Sequence, residues 1–204
     1  MNFLPLNHDF YARDPITVAR ELLGKRLIRE TSAGVAAGRI VEAEAYLSSR
    51  DPACHASRGI TRKNAAMFGP PGRGYVYMIH ARWCLNVVTE QEGVPSAVLI
   101  RAIEPLEGLD LMQQRRGTEV IRDLTRGPAR LCEALAIDRT YNQWDLTIGR
   151  ELWIADDPTM SGTPPKVVRS ARIGVTSAHR RLLRFYVADS PFVSGKRAAQ
   201  RATG

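Results

Sequence analysis

Long apolar runs are missing from this 204-residue chain: nowhere do about eighteen such residues follow one another, so a membrane-spanning helix is not expected. The opening MNFLPLNHDFYARDP lacks both the basic and the apolar regions of a secretion signal, and a cytoplasmic protein is the expectation. Cysteine is scarce. Cys54, Cys84 and Cys132 form an odd set at wide spacing with no C-x-x-C pair, which excludes a disulfide framework and a zinc ribbon. The 4 histidines give no H-x-x-x-H pair, so no metal site is expected. No G-x-G-x-x-G, P-loop or G-x-S-x-G occurs, which removes the dinucleotide, nucleoside-triphosphate and α/β-hydrolase classes and leaves no cofactor expected. Heptads and internal repeats are absent as well, and a monomer is expected.

What the chain does have is arginine, 25 residues against 4 lysines, within a net charge of +8. A basic surface of that size favours an anionic partner such as nucleic acid, because binding phosphates releases counterions. Arginine suits the task, since its planar fork can hold two phosphate oxygens. Apolar residues at 44% and charged residues at 25% are ordinary for a globular protein, and the length suits one domain over residues 1–204. The basic end, about 195–204, is expected to be flexible.

Along the chain, Asp14-Pro15 caps a packing helix whose Ile16, Ala19, Leu22 and Leu23 repeat at helical spacing up to Gly24. Lys25 to Glu30 and Val35 to Tyr46 read as a β-hairpin. Residues 47–74 form a long loop region carrying Arg50, His55, Arg58, Arg62, Lys63 and Arg73 against the single acid Asp51, a composition that fits a phosphate backbone or a solvated lid. Tyr75 to Ile79, Trp83 to Thr89 and Ser96 to Ile103 are strands, the last presenting Arg101 between Leu99 and Ile103 on one face. Helices follow from Leu106 through Met112 and after Gly127-Pro128, and further strands are predicted at 151–155, 167–175 and 183–187. Neighbouring strands without helical crossovers predict an α+β fold, a mostly antiparallel sheet or partial barrel with packed helices.

The unusual stretch is Arg39 to Tyr46, RIVEAEAY. A period of two puts Ile40, Glu42, Glu44 and Tyr46 on one face, with Val41, Ala43 and Ala45 on the other. Glu is depleted in strands, so either an edge strand turns Glu42 and Glu44 to water, or the carboxylates are used. Arg101 would partner one of them, and periodicity does not choose between the two.

Read together, VEAEAY, His55 and Ser57, Arg62, Asn64, MFGPPG (67–72), YVYMI, WCLNVV, LIRAIEPLEG, RGPARLCEALAI and RFYVADSPFVS occur in the order found in the alkyladenine (3-methyladenine) DNA glycosylases. The chain resembles that family from about Phe10 to Ser194. The resemblance implies base-excision repair without a metal: a damaged purine is flipped from duplex DNA, stacked between aromatic rings and cut from its sugar by water. It implies Glu44 as general base and Arg101 as the arginine beside the attacking water. It further implies Tyr46, His55 and Tyr77 as walls of the base pocket and Asn86 as the residue that excludes the guanine amino group. Arg62, Lys63 and Arg73 would then touch DNA. Family members usually carry tyrosine-glycine at the hairpin tip, as the wedge that fills the gap in the duplex; here His80-Ala81-Arg82 is one residue shorter, leaving His80 or Arg82 as the wedge. Two rivals remain: a non-catalytic nucleic-acid-binding module of the same fold, and a nucleoside or glycoside hydrolase using Glu42 and Glu44 as an acid/base pair.

Overall fold

The structure, a computed structural model, describes residues 3–160 and 165–195; the basic tail beyond Gly195 lies outside the described residues. Asn7 caps α1 (His8–Tyr11), and Asp14 caps α2 (Pro15–Glu21) by accepting from the Ile16 and Thr17 N–H groups, with Pro15 in the first turn. β1 (Arg26–Thr31) and β2 (Gly34–Tyr46) make the first hairpin, and β3 (Gly74–Ile79) and β4 (Arg82–Thr89) the second. β5 (Ser96–Glu107) runs back along β2, and α3 (Leu109–Arg116), α4 (Pro128–Ala134), β6 (Leu152–Ala155), β7 (Val167–Ser170) and β8 (Arg184–Val187) complete the described elements. The strands pair antiparallel in the order β3-β4-β5-β2-β1-β6, with β8 beside the second half of β2 and β7 outside it. The fold is the expected α+β, with the sheet left open. Among the described residues no helix is long and apolar enough to cross a membrane.

β2 is therefore a central strand, flanked by β5 on one edge and by β1 and then β8 on the other. That placement overturns the edge-strand reading, and both Glu42 and Glu44 are fully buried. The sheet has two working faces. Ala43, Ala45, Val76, Leu85, Val87, Val98 and Ile100 turn to the main core with Val18, Leu22, Met112 and Leu131 of the helices. From the same strands Tyr46, Tyr75, Tyr77, Asn86, Leu99 and Arg101 turn the other way and line a cavity.

The pattern of two fails at one level. Ile40 sits in the main core with Ala43 and Ala45, and Ile103 with Ile100, so both strands change parity between these residues. The cause is an irregularity at Glu42, which pairs with Ala102 while Ile40↔Ile103 and Ala43↔Ile100 keep the register on either side. Ile40 and Ile103 thus do not share a face with Glu44 and Arg101, contrary to a uniform alternation.

Two further boundaries differ from the sequence reading. Leu106 continues β5, and the helix begins only at Leu109, because Gly108 turns the chain at φ +71° where an added Cβ would lie 2.2 Å from the Val35 carbonyl. The strand predicted over 167–175 stops at Ser170, its partner Arg184 being the first residue of β8. The chain then leaves the sheet, and three residues on Ile173 lines the cavity.

Candidate active site

The cavity encloses about 440 Å³, within the size range of small-molecule sites, roughly 300–1,000 Å³. Its floor is the second face of the sheet, and loop 52–58 and residues 173–177 form its sides. Tyr75 and Tyr77 follow each other on that face of β3 with ring centroids 5.4 Å apart. The His55 ring stands edge-on to Tyr77 at 4.5 Å, and its Nδ1 shares a hydrogen bond with the Tyr75 hydroxyl at 2.9 Å. Packing against these rings strips water from the imidazole and lowers its pKa, so His55 stays neutral near pH 7. Asn64 fixes the loop beneath it, donating Nδ2 to the carbonyls of His55 and Gly59. Asn86 donates Nδ2 to the Tyr75 carbonyl at 3.0 Å and also lines the cavity.

Glu44 lies just behind this wall. Its Oε1 accepts from the Ile173 N–H at 2.8 Å and lies 3.2 Å from Arg101 Nη1, while its Oε2 accepts from the Tyr46 hydroxyl at 3.0 Å. Tyr46, Arg101 and Ile173 all line the cavity, so each of these partners of the carboxylate borders the space where a ligand would sit. The Tyr46 phenol is held protonated well above its ordinary pKa, first by burial and then by the Glu44 charge.

Glu42 has a different setting. Arg101 Nε and Arg184 Nε both donate to its Oε1, at 2.8 and 2.7 Å, Ser194 Oγ donates to the same oxygen, and the Ser194 N–H donates to Oε2. Like Glu44 it is not part of the cavity lining, but of its partners only Arg101 lines the cavity. Neither carboxylate is solvated, and Glu42 is the anchor of a buried charge cluster. Arg101 is the shared member, reaching both carboxylates; burial opposes its charge, and Glu44 and Glu42 more than restore it.

The remaining sequence candidates divide. His80 and Ala81 form the two-residue tip of the β3–β4 hairpin, both at positive φ (+46° and +58°), and His80 is exposed there beside the half-exposed Met78 and Ile79. Arg82, the first residue of β4, pairs with Glu133 of α4 at 3.0 Å. Arg62 and Lys63 are exposed, and neither has an ion-pair partner among the described residues. Arg73 is committed to Asp145, at 3.2 Å, and to the Gln143 carbonyl. Sequence reasoning passed over Tyr75, although its alternation with Tyr77 was the signal. It also missed Asp51, Arg172, Arg184 and Ser194, which no local pattern marks. Among the described residues no group of three or more His, Cys, Asp and Glu side chains is placed to hold a metal ion.

The family model described as methylpurine-DNA glycosylase matches residues 9–191. The chain belongs to this family. It is 47% identical, over 95% of its length and 96% of the relative's, to a Methanocella arvoryzae protein named "Putative 3-methyladenine DNA glycosylase". Proteins of the same name from Mesorhizobium japonicum (45% identical, 92% of this chain, 88% of the relative) and Carboxydothermus hydrogenoformans (44% identical, 94% and 99%) match over similar spans. The methylpurine-DNA glycosylase match covers every strand of the cavity floor.

Proposed function

We propose that this protein is a monofunctional DNA glycosylase that removes alkylated purines, 3-methyladenine among them, from duplex DNA and leaves an abasic site. The reading rests on one juxtaposition: a buried carboxylate, Glu44, whose two hydrogen-bond donors and ion-pair partner Arg101 border a cavity walled by Tyr46, Tyr77 and His55. Extruding a base costs a few kcal/mol, and stacking between aromatic walls offsets that cost. Glu44 then takes a proton from a water as the water oxygen bonds to the sugar C1′. The C1′–N bond breaks and its electron pair leaves with the purine. A cationic alkylated base departs as a neutral molecule. Arg101, bridging Glu42 and Glu44, keeps the carboxylate oriented, and the negative charge faces the oxocarbenium-like sugar. For the water to reach Glu44, the Tyr46 hydroxyl yields its place on Oε2, a rearrangement of the kind that unliganded sites undergo when substrate binds.

The acid/base-pair alternative is disfavoured by Glu42, whose oxygens are taken up by two arginines and Ser194 behind the cavity. The deciding assay measures purine release from alkylated duplex DNA with free alkylated nucleoside as control. Release from the duplex alone is the expected result. Release from the nucleoside with equal efficiency would favour a nucleoside hydrolase, and binding without release would favour a non-catalytic DNA-binding module.

A further inference from the structure

Packed on the Tyr46 ring, and outside the cavity lining, sits a second charge pair that the reaction does not use. The Arg172 side chain is fully buried and its guanidinium carbon lies 4.5 Å from the centroid of the Tyr46 ring. It grips Asp51 in a two-pronged pair, with Nη2 to Oδ1 at 2.7 Å, and its Nη1 also donates to the Ala45 carbonyl at 2.9 Å. Asp51 in turn accepts from the N–H groups of Leu47 and Ala53, fastening the chain that leads to His55. Arg172 itself does not line the cavity, but the next residue, Ile173, does.

From this arrangement we infer that the Arg172–Asp51 pair is a specificity-determining element, setting how strongly Tyr46 favours cationic over neutral purines. The inference rests on the glycosylase reading above. A cation is drawn to an aromatic face by the negative charge of the π cloud, and one face of Tyr46 is already occupied by a guanidinium. A cationic base stacked on the opposite face meets a ring whose π density is already drawn towards Arg172, and it is repelled by the cation behind. A neutral base loses nothing comparable. Asp51 offsets part of the charge, but the guanidinium is the member in contact with the ring. The pair therefore restrains discrimination, so that neutral lesions are processed alongside cationic ones. In the full chain, Arg172 is a positioning residue as well, because its backbone leads into the Ile173 N–H that holds Glu44.

The two members of the pair make opposite predictions, which no purely structural role does. The measurement is the single-turnover rate constant at saturating enzyme on duplexes carrying either 3-methyladenine, cationic as the nucleotide, or hypoxanthine, which is neutral. In Asp51→Asn/Arg172→Gln the bridge is rebuilt from uncharged amides, and the ratio of 3-methyladenine to hypoxanthine rates should rise about fivefold, the size of one exposed-to-intermediate cation–π contact. In Asp51→Asn alone the guanidinium is left uncompensated and the same ratio should fall below that of the unaltered protein. Should the double variant not fold, the single variant carries the test, its melting temperature being read alongside. Equal losses on both lesions, with the ratio unmoved in either variant, would assign the pair to scaffolding and overturn the inference. An unaltered protein that released neither base would instead sink the glycosylase reading, so the two failures are distinguishable.

Discussion

Exchanging Glu44 for Gln separates the chemistry from the scaffold more cleanly than any other single change. The amide keeps one oxygen to accept from the Ile173 N–H, and its NH₂ can donate to the Tyr46 hydroxyl, so the 2.8 and 3.0 Å contacts survive with one of them reversed. Arg101 loses one carboxylate but keeps Glu42 at 2.8 Å and Ser194 Oγ at 3.1 Å. The stability cost should be about 1–3 kcal/mol, that of weakening hydrogen bonds to one buried charged group. Catalysis loses the proton acceptor outright, a fall of about 100- to 10,000-fold in single-turnover base release. Binding to lesion-containing duplex should stay within a few-fold of the unaltered protein. Glu42→Gln gives the contrasting result. It leaves Arg101 and Arg184 buried around a neutral amide, and breaking such a cluster costs about 3–5 kcal/mol, seen first as a lowered melting temperature. Three assays decide: base release from alkylated duplex under single-turnover conditions, duplex affinity by fluorescence anisotropy, and thermal melting. Glu44→Gln releasing purine at close to the normal rate while Glu42→Gln, still folded, released none would refute the assignment.

Other outcomes follow from the same contacts. Arg62→Ala and Lys63→Ala should each weaken DNA binding about equally on any sequence and reduce the slope of log affinity against log salt by about 1, whereas Arg73→Ala, already paired with Asp145, should leave that slope unchanged. On the proposal that His80 serves as a smaller wedge, excision of hypoxanthine or ethenoadenine should be slower than that of 3-methyladenine; equal rates on all three would remove the idea that the tip limits retention of neutral bases. Asp51 is held below its ordinary 3.8, since burial raises its pKa but Arg172 and the Ala53 and Leu47 N–H groups lower it further. The folded state therefore binds fewer protons at this site, and the stability it contributes is complete above about pH 4 and lost as pH falls below that value. Melting curves from pH 6 to 3 should show a shallower acid limb in Asp51→Asn, and an unchanged limb would contradict the pairing.

How much of this was legible in the sequence depended on distance along the chain. The strands declared themselves through alternation, and Tyr46, Tyr77, Asn86 and Arg101 reach the cavity because each lies on a strand whose period is two near that point. Ile40 and Ile103 were misplaced because a local irregularity at Glu42 resets the parity of both strands, and a periodic rule has no means of counting it. Leu106 was drawn into a helix because one apolar residue serves either period, until Gly108 fixed the break. By periodicity Glu42 looked interchangeable with Glu44, and in the fold residues far along the chain tell them apart, Arg184 and Ser194 holding Glu42 and Ile173 holding Glu44. Arg172 and Asp51 stand 121 residues apart and carry no motif, so their pairing belongs to the tertiary structure alone.

The grip of Ser194 on Glu42 also governs when the buried charge cluster is complete. Synthesis proceeds from the N-terminus at about 5–20 residues per second. The second hairpin and β5 can pair with β2 as soon as they emerge, but Glu42 keeps an unmet oxygen, and Arg101 an unmet nitrogen, until residue 194 arrives. Gly195 follows at φ +64°, pressed so closely to Ile173 that an added Cβ would stand 2.8 Å from its Cδ1. The last described residues thus close the circuit that runs through Glu42 and Arg101 to Glu44, and a nascent chain in which Ser194 has not yet emerged would leave that cluster open.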